Sequence, residues 1–122
     1  MANPASIDSI LLSTATGAGI SEDYLADDTS FKNEAITAIN ATLNKFNQIG
    51  IGVMDFHIAD ATATWDQFFG DTTPQSKQWF AREYAKHALK KSFDPPNSSM
   101  LQSQLDDQMR ELEFRLLVDQ DD

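Results

Sequence analysis

The 122-residue chain contains no cysteine. That excludes disulfides, thiolate metal sites and thiol nucleophiles, and it fits a reducing compartment. Histidine is nearly missing as well: His57 and His87 are the only two. They fall in different predicted elements, without metal-ligand spacing, and no HExxH occurs. Basic residues are scarce, nine Lys and Arg against nineteen Asp and Glu, so the formal net charge is −10. The basic footprint needed to grip nucleic acid phosphate or an anionic lipid surface is therefore lacking. No apolar run approaches the roughly 20 residues of a membrane span. The opening stretch MANPASIDSILLSTATGAG carries neither Lys nor Arg, so a secretory signal is not expected.

The signatures of catalysis are also missing. There is no phosphate-binding glycine loop and no GxSxG. The acidic stretch DYLADDTSFKNE (23–34) lacks the alternating oxygen ligands and central glycine of a calcium loop. The expectation is a protein that is not an enzyme, with no catalytic residue, cofactor or metal. What is present is an ordinary globular balance, 41% hydrophobic and 23% charged, which at this length suits one domain over residues 1–122 with a modest core.

Periodicity predicts four helices in an all-α bundle. The first runs over about 4–14, started by Asn3-Pro4 and stopped at Gly17-Ala18-Gly19. The second runs over about 30–48. Residues about 100° apart on a helix place Phe31, Ala35, Ile39, Leu43 and Phe46 on one stripe, flanked by Ile36 and Ile49, and Gly50 is the stop. The third, about 74–92, starts at Thr73-Pro74, cap plus first-position proline. Its stripe is Phe80, Ala81, Tyr84, Ala85 and Ala88. The fourth, about 99–118, carries Leu101, Leu105, Met109, Leu112 and Leu116 toward the core, with Asp106–Arg110 and Glu111–Arg115 as i,i+4 surface pairs. An acidic tail, 119–122, follows.

Between the second and third helices lies a long excursion, residues 50–72. Glycines, β-branched residues and aromatics replace the helical period there. DFHIAD and TATW read as two short extended pieces and DQFFG as a turn. The four aromatics Phe56, Trp65, Phe68 and Phe69 admit two readings: a mini-core folded onto the helices, or an arm that inserts into a partner. The third helix holds five of the nine basic residues, with Arg82, Lys86 and Lys90 opposite its apolar stripe and Trp79 among them. That face is either solvated or a subunit contact in which cations meet an acidic neighbour.

FDPPNSS (93–99) is a firm break. A residue before proline is pushed out of the α region, so Asp94, Pro95 and Pro96 end one helix and set a stiff corner. Ser99 then caps the next, with Gln102 completing a capping box. On the fourth helix Phe114, Leu117 and Val118 lie off the core stripe, beside the tail acids Asp119, Asp121 and Asp122. Scattered exposed apolars are normal, but a patch beside an acidic tail also suits a docking surface.

The stretches INATLNKFNQIGIG (39–52), FHIADATATWDQFFGD (56–71), KSFDPPNSS (91–99) and LDDQMRELEFRLLV (105–118), in this order, resemble the head–tail connector, or adaptor, proteins of long-tailed bacteriophages. The resemblance covers about 31–118. It implies a small four-helix connector with a loop excursion between its second and third helices. It further implies a homo-oligomeric, twelve-membered ring beneath the portal protein, which extends the DNA channel and presents a surface to a stopper or head-completion protein. On that likeness Phe114, Leu117, Val118 and the tail face the portal. Phe56, Trp65, Phe68 and Phe69, with Trp79, Arg82 and Lys86, face a ring neighbour or the stopper. The site of action would be the virion neck, reached from the host cytoplasm during assembly. DNA would pass without sequence-specific contact, and an acidic lumen would help it slide, with Asp27, Asp28, Asp106 and Asp107 as candidates. The alternative from another class is a small acidic regulator that mimics DNA toward a basic partner.

Overall fold

The computed structural model describes residues 9–20, 27–71, 73–93 and 98–117. Among these it is all-helical: α1 Ile10–Gly17, α2 Thr29–Gln48, α3 Trp65–Phe69, α4 Gln75–Phe93 and α5 Ser99–Leu117. The expected all-α class stands, with one short helix more than the periodicity predicts. Helix α4 is the central element. It packs against α1, α2 and α5, and α1 also meets α2.

The start of α1 corrects the expected range of 4–14. Ser9 has extended backbone and accepts a hydrogen bond on its Oγ from Leu12 N at 3.2 Å, so the helix begins at Ile10. It continues through Gly17, past the expected end at Thr14. The expected Asn3-Pro4 start lies outside the described residues.

Helix α2 follows its sequence closely. Asp28 caps it, accepting from Phe31 N at 2.9 Å. Ala35, Ile39, Leu43 and Phe46 are buried as the stripe requires, while Phe31 is partly buried. Phe31 instead stacks at a tilt on Phe93, 4.8 Å between ring centroids, near the end of α4. Gly50 ends the segment in the left-handed region.

In α4 the buried residues are Ala81, Tyr84, Ala85 and Leu89, so Leu89 joins the expected stripe and Phe80 and Ala88 sit at its margin. The small side chains of Ala81 and Ala85 leave room for close helix approach. Thr73 is not its local cap. The Thr73 hydroxyl accepts from Gly52 N at 3.1 Å, and the Thr73 carbonyl accepts from Gln78 Nε2 at 3.0 Å. The first helical carbonyl is that of Pro74, which takes Gln78 N. Thr73 therefore ties the excursion to the root of α4.

In α5 the cap is Ser98 rather than Ser99: Ser98 Oγ accepts from Leu101 N at 3.1 Å and Ser98 O from Gln102 N at 3.0 Å. With the cap one residue earlier, Leu101 holds the third helical position, and the Ser99–Gln102 capping box does not form. Leu105, Leu112 and Leu116 are buried and Met109 partly so, but Leu101 is half exposed. It lies on the first turn, beyond the reach of the core. The elbow residues Asp94, Pro95 and Pro96, and Val118 with the tail, lie outside the described residues.

Candidate functional site

The 50–72 excursion is a mini-core. Trp65, Phe68 and Phe69 are 1%, 0% and 0% exposed, so they are closed to any partner of this folded chain. This corrects the expectation that they face a ring neighbour or stopper. DQFF lies in α3 and Gly70 is its C-cap, and the helix opens on a capping box in which Thr64 Oγ1 accepts from Gln67 N and Gln67 Oε1 from Thr64 N. The expected extended pieces reduce, among the described residues, to one antiparallel bridge between Ser9 and Thr64, with Ile10 N donating to Ala63 O at 3.0 Å. Trp65 Nε1 donates to Ser13 Oγ at 2.9 Å, fixing α3 on α1. Each buried ring contributes about 1.5–3 kcal/mol, enough to hold a segment that has little regular backbone pairing of its own. Phe56 is half buried, edge-on to Phe68 at 5.5 Å.

Two asparagines shape the rest of the excursion. Asn47 Nδ2 donates to Ile51 O and Val53 O, both at 3.0 Å, and Asn47 Oδ1 accepts from Asp55 N at 3.1 Å. Asn40 pairs with both backbone groups of Ile58, Nδ2 to O at 3.0 Å and N to Oδ1 at 2.8 Å. The loop so held leaves Val53 and Met54 outward, 44% and 69% exposed. The sequence reading missed this apolar tip. Its signal was the spacing of Asn40 and Asn47, two poor helix formers seven residues apart beside an apolar stripe.

The cations of α4 find partners within the chain while staying partly exposed. The Arg82 guanidinium lies over the rings of Trp65 at 5.8 Å and Phe69 at 5.6 Å, a cation–π contact. Lys86 Nζ meets Glu83 Oε2 at 2.9 Å, and Lys91 Nζ meets Asp106 Oδ1 at 2.8 Å. Arg82 and Lys86, both half-buried, thus already have partners within the chain. Trp79 remains outward, 57% exposed.

Helix α5 is fixed by matching pairs. Lys45 Nζ donates to Glu113 Oε1 at 2.9 Å and to Tyr84 Oη at 3.0 Å, linking α2, α4 and α5. The Tyr84 hydrogen bond, with that to Glu113, holds the Lys45 ammonium above its ordinary value. Glu111–Arg115 forms as expected, at 2.7 Å. Asp106–Arg110 does not: Asp106 reaches across to Lys91, and Arg110 takes Asp107 at 2.9 Å. Of the lumen candidates, Asp28 caps α2, Asp106 and Asp107 are ion-paired, and Asp27 is exposed. Phe114 and Leu117 stand outward at 60% and 55% exposure.

No cluster of His, Asp and Glu able to hold a metal occurs among the described residues, and no described helix is long and apolar enough to cross a membrane. His57 is exposed in the loop and His87 makes a contact of 2.7 Å to Glu83 O. Among the described residues the outward apolar features include a loop tip, a tryptophan on α4 and a pair at the end of α5. No curated protein and no solved structure matches the chain. The family model described as phage connector protein matches residues 10–122, which takes in every described helix. The chain therefore belongs to the phage connector protein family and has a structural connector role in the virion neck.

Proposed function

We propose that the chain forms a ring, twelve-membered by family likeness, beneath the portal protein, joins the phage head to the tail and extends the DNA channel. The observation that carries this reading is the family match over residues 10–122. Two physical features support it. A ring contact is heterologous, so one subunit must offer two unlike patches. The outward Val53 and Met54 in the loop are available for that contact, and Phe114 and Leu117 on α5 stand outward separately, available for the portal. The net charge of −10 keeps a channel wall from adhering to phosphate.

On this reading Phe114 and Leu117, with Val118, Asp119, Asp121 and Asp122 beyond the described residues, face the portal. Val53, Met54 and Trp79 take the neighbour or stopper contact that the buried aromatics do not make. Assembly would take place in the host cytoplasm, and the mature site is the virion neck.

The test is native mass spectrometry of the purified chain mixed with the portal ring from the same genome. A discrete multi-copy addition to the portal is expected, and it would give the copy number. A chain that stays monomeric and leaves the portal unmodified would overturn the ring reading in favour of a soluble regulatory role.

A further inference from the structure

Helices α4 and α5 do not close completely along their outer edge. They leave an open groove of about 380 Å³ lined by Trp79, Glu83 and His87 from α4 and by Asp107, Glu111 and Leu112 from α5, with Gln108 between them. Its apolar lining side chains are Trp79, 57% exposed, and Leu112, which is largely buried at its base. Three carboxylates edge it, and no Lys or Arg is part of the lining. Each carboxylate does have a cation on its own helix: Lys86 on Glu83, Arg110 on Asp107 and Arg115 on Glu111. These are i,i+3 and i,i+4 pairs, and those on α5 are well exposed, a class contributing about 0–1 kcal/mol each. An incoming cation can therefore replace the two α5 pairs at little cost.

We propose that this groove is the docking site for a basic, apolar-anchored segment of a different protein, in which an apolar or aromatic side chain seats against Trp79 and Leu112 while Lys or Arg side chains meet Asp107, Glu111 and Glu83. Charge complementarity selects the occupant. A second copy of this chain is a poor fit. It carries a net charge of −10, with only nine Lys and Arg against nineteen Asp and Glu, so its field as a whole opposes an acidic rim. Nucleic acid is excluded by the same carboxylates. An outward tryptophan in a partly sheltered apolar groove with a charged rim is the arrangement that concentrates binding energy in protein interfaces. The rim carboxylates would steer a basic partner and make its association salt-dependent. The inference rests on the connector reading only in that the partner is then another component of the neck.

Trp79 is also the reporter. Trp65 is 1% exposed, so acrylamide quenching of the native chain reads Trp79. The first probe is a pair of synthetic helical peptides with one shared Leu/Phe face, one peptide carrying Lys and the other Glu at the flanking positions. The Lys peptide is expected to blue-shift the emission and cut quenching by at least half. Asp107→Asn with Glu111→Gln should weaken it about tenfold and flatten its salt dependence, and Trp79→Ala should abolish it. Equal response to both peptides, or to neither, would overturn the proposal.

The second probe is the portal ring and the adjoining neck protein from the same genome, titrated with wild type, Trp79→Ala and the double amide variant. Loss of binding to one of them in both variants supports the groove. Full binding by both variants overturns it and leaves the connector reading standing. Failure of wild type to bind either protein sinks the connector reading, and the peptide pair alone then decides the groove. Sedimentation of wild type and Trp79→Ala covers the remaining occupant: self-association removed by Trp79→Ala would show that the groove takes a second copy and would overturn the charge argument.

Discussion

Single polar side chains set the form of the excursion, and their effects are separable. Asn47 satisfies two carbonyls and one N–H of the 51–55 turn. Asn47→Ala leaves all three without that partner in a site where Asn47 itself is 9% exposed, and it should destabilise the chain by about 2–3 kcal/mol, read by urea denaturation. Asp60 gives a pH signature. Its carboxylate accepts from the Thr62 hydroxyl at 2.6 Å and from Thr62 N at 2.9 Å. Hydrogen bonding to the charged form, first from the hydroxyl, lowers its pKa. Because the folded pKa is depressed, the contribution is present above the ordinary Asp range near 3.9 and is lost as pH falls through the folded value. Carboxyl NMR titration should find Asp60 below the usual Asp range, and Thr62→Val should move it upward; an unmoved titration would mean that the turn does not persist in solution. Lys45 has the opposite sign: its raised pKa adds stability that is present at neutral pH and disappears only as pH climbs through the folded value, above about 10.4.

At the scale of elements, Gly52 shows how loop and helix are matched. Its φ is +83°, and a Cβ placed there would run into the Phe68 ring. Gly50 has a similar φ of +86° with open space around it. Gly50→Ala should therefore cost only the backbone strain, about 1 kcal/mol. Gly52→Ala adds overpacking against α3 and should cost on the order of 1–3 kcal/mol more. Thermal melts of the two variants compare them directly; equal losses would mean that the Phe68 ring moves aside freely.

Helices α2, α4 and α5 were legible because their apolar stripes run for several turns. Ala35, Ile39, Leu43 and Phe46 are buried as their spacing demands. Capping was harder to read. Ser98 and Ser99 are adjacent and chemically equivalent, so the sequence does not choose between them, and in the structure it is Ser98 Oγ that accepts from Leu101 N. The five-residue α3 was not legible either. Its length is below one reliable helical period, and its stability comes from burial of Trp65, Phe68 and Phe69 against α1 and α2.

For the whole molecule, the outward apolar side chains of α5 give the clearest separation of folding from assembly. Phe114 and Leu117 are exposed, so Phe114→Ser with Leu117→Ser should leave the melting temperature within a few degrees of wild type. Portal binding of the same variant should fall at least tenfold in the native mass experiment. A large loss of stability with binding retained would assign the pair to the fold instead.

What the sequence by itself determined was the chemical class: no thiol chemistry, no basic nucleic-acid footprint, long amphipathic helices and an element order that resembles phage connectors. Those follow from composition and from local periodicity, which the chain carries at every position. What only the tertiary structure decided was which side of each ambiguous residue faces out. Arg82 shares a basic face in the helical period, and only packing of α3 places its guanidinium over the Trp65 and Phe69 rings. The loop aromatics left both core and arm open until α3 closed on α1 through Trp65 and Ser13. The physical reason is the same in both cases. Helical spacing fixes which residues share a face, but burial of that face depends on partners distant in sequence, such as Ser13 for Trp65 or Glu113 for Lys45.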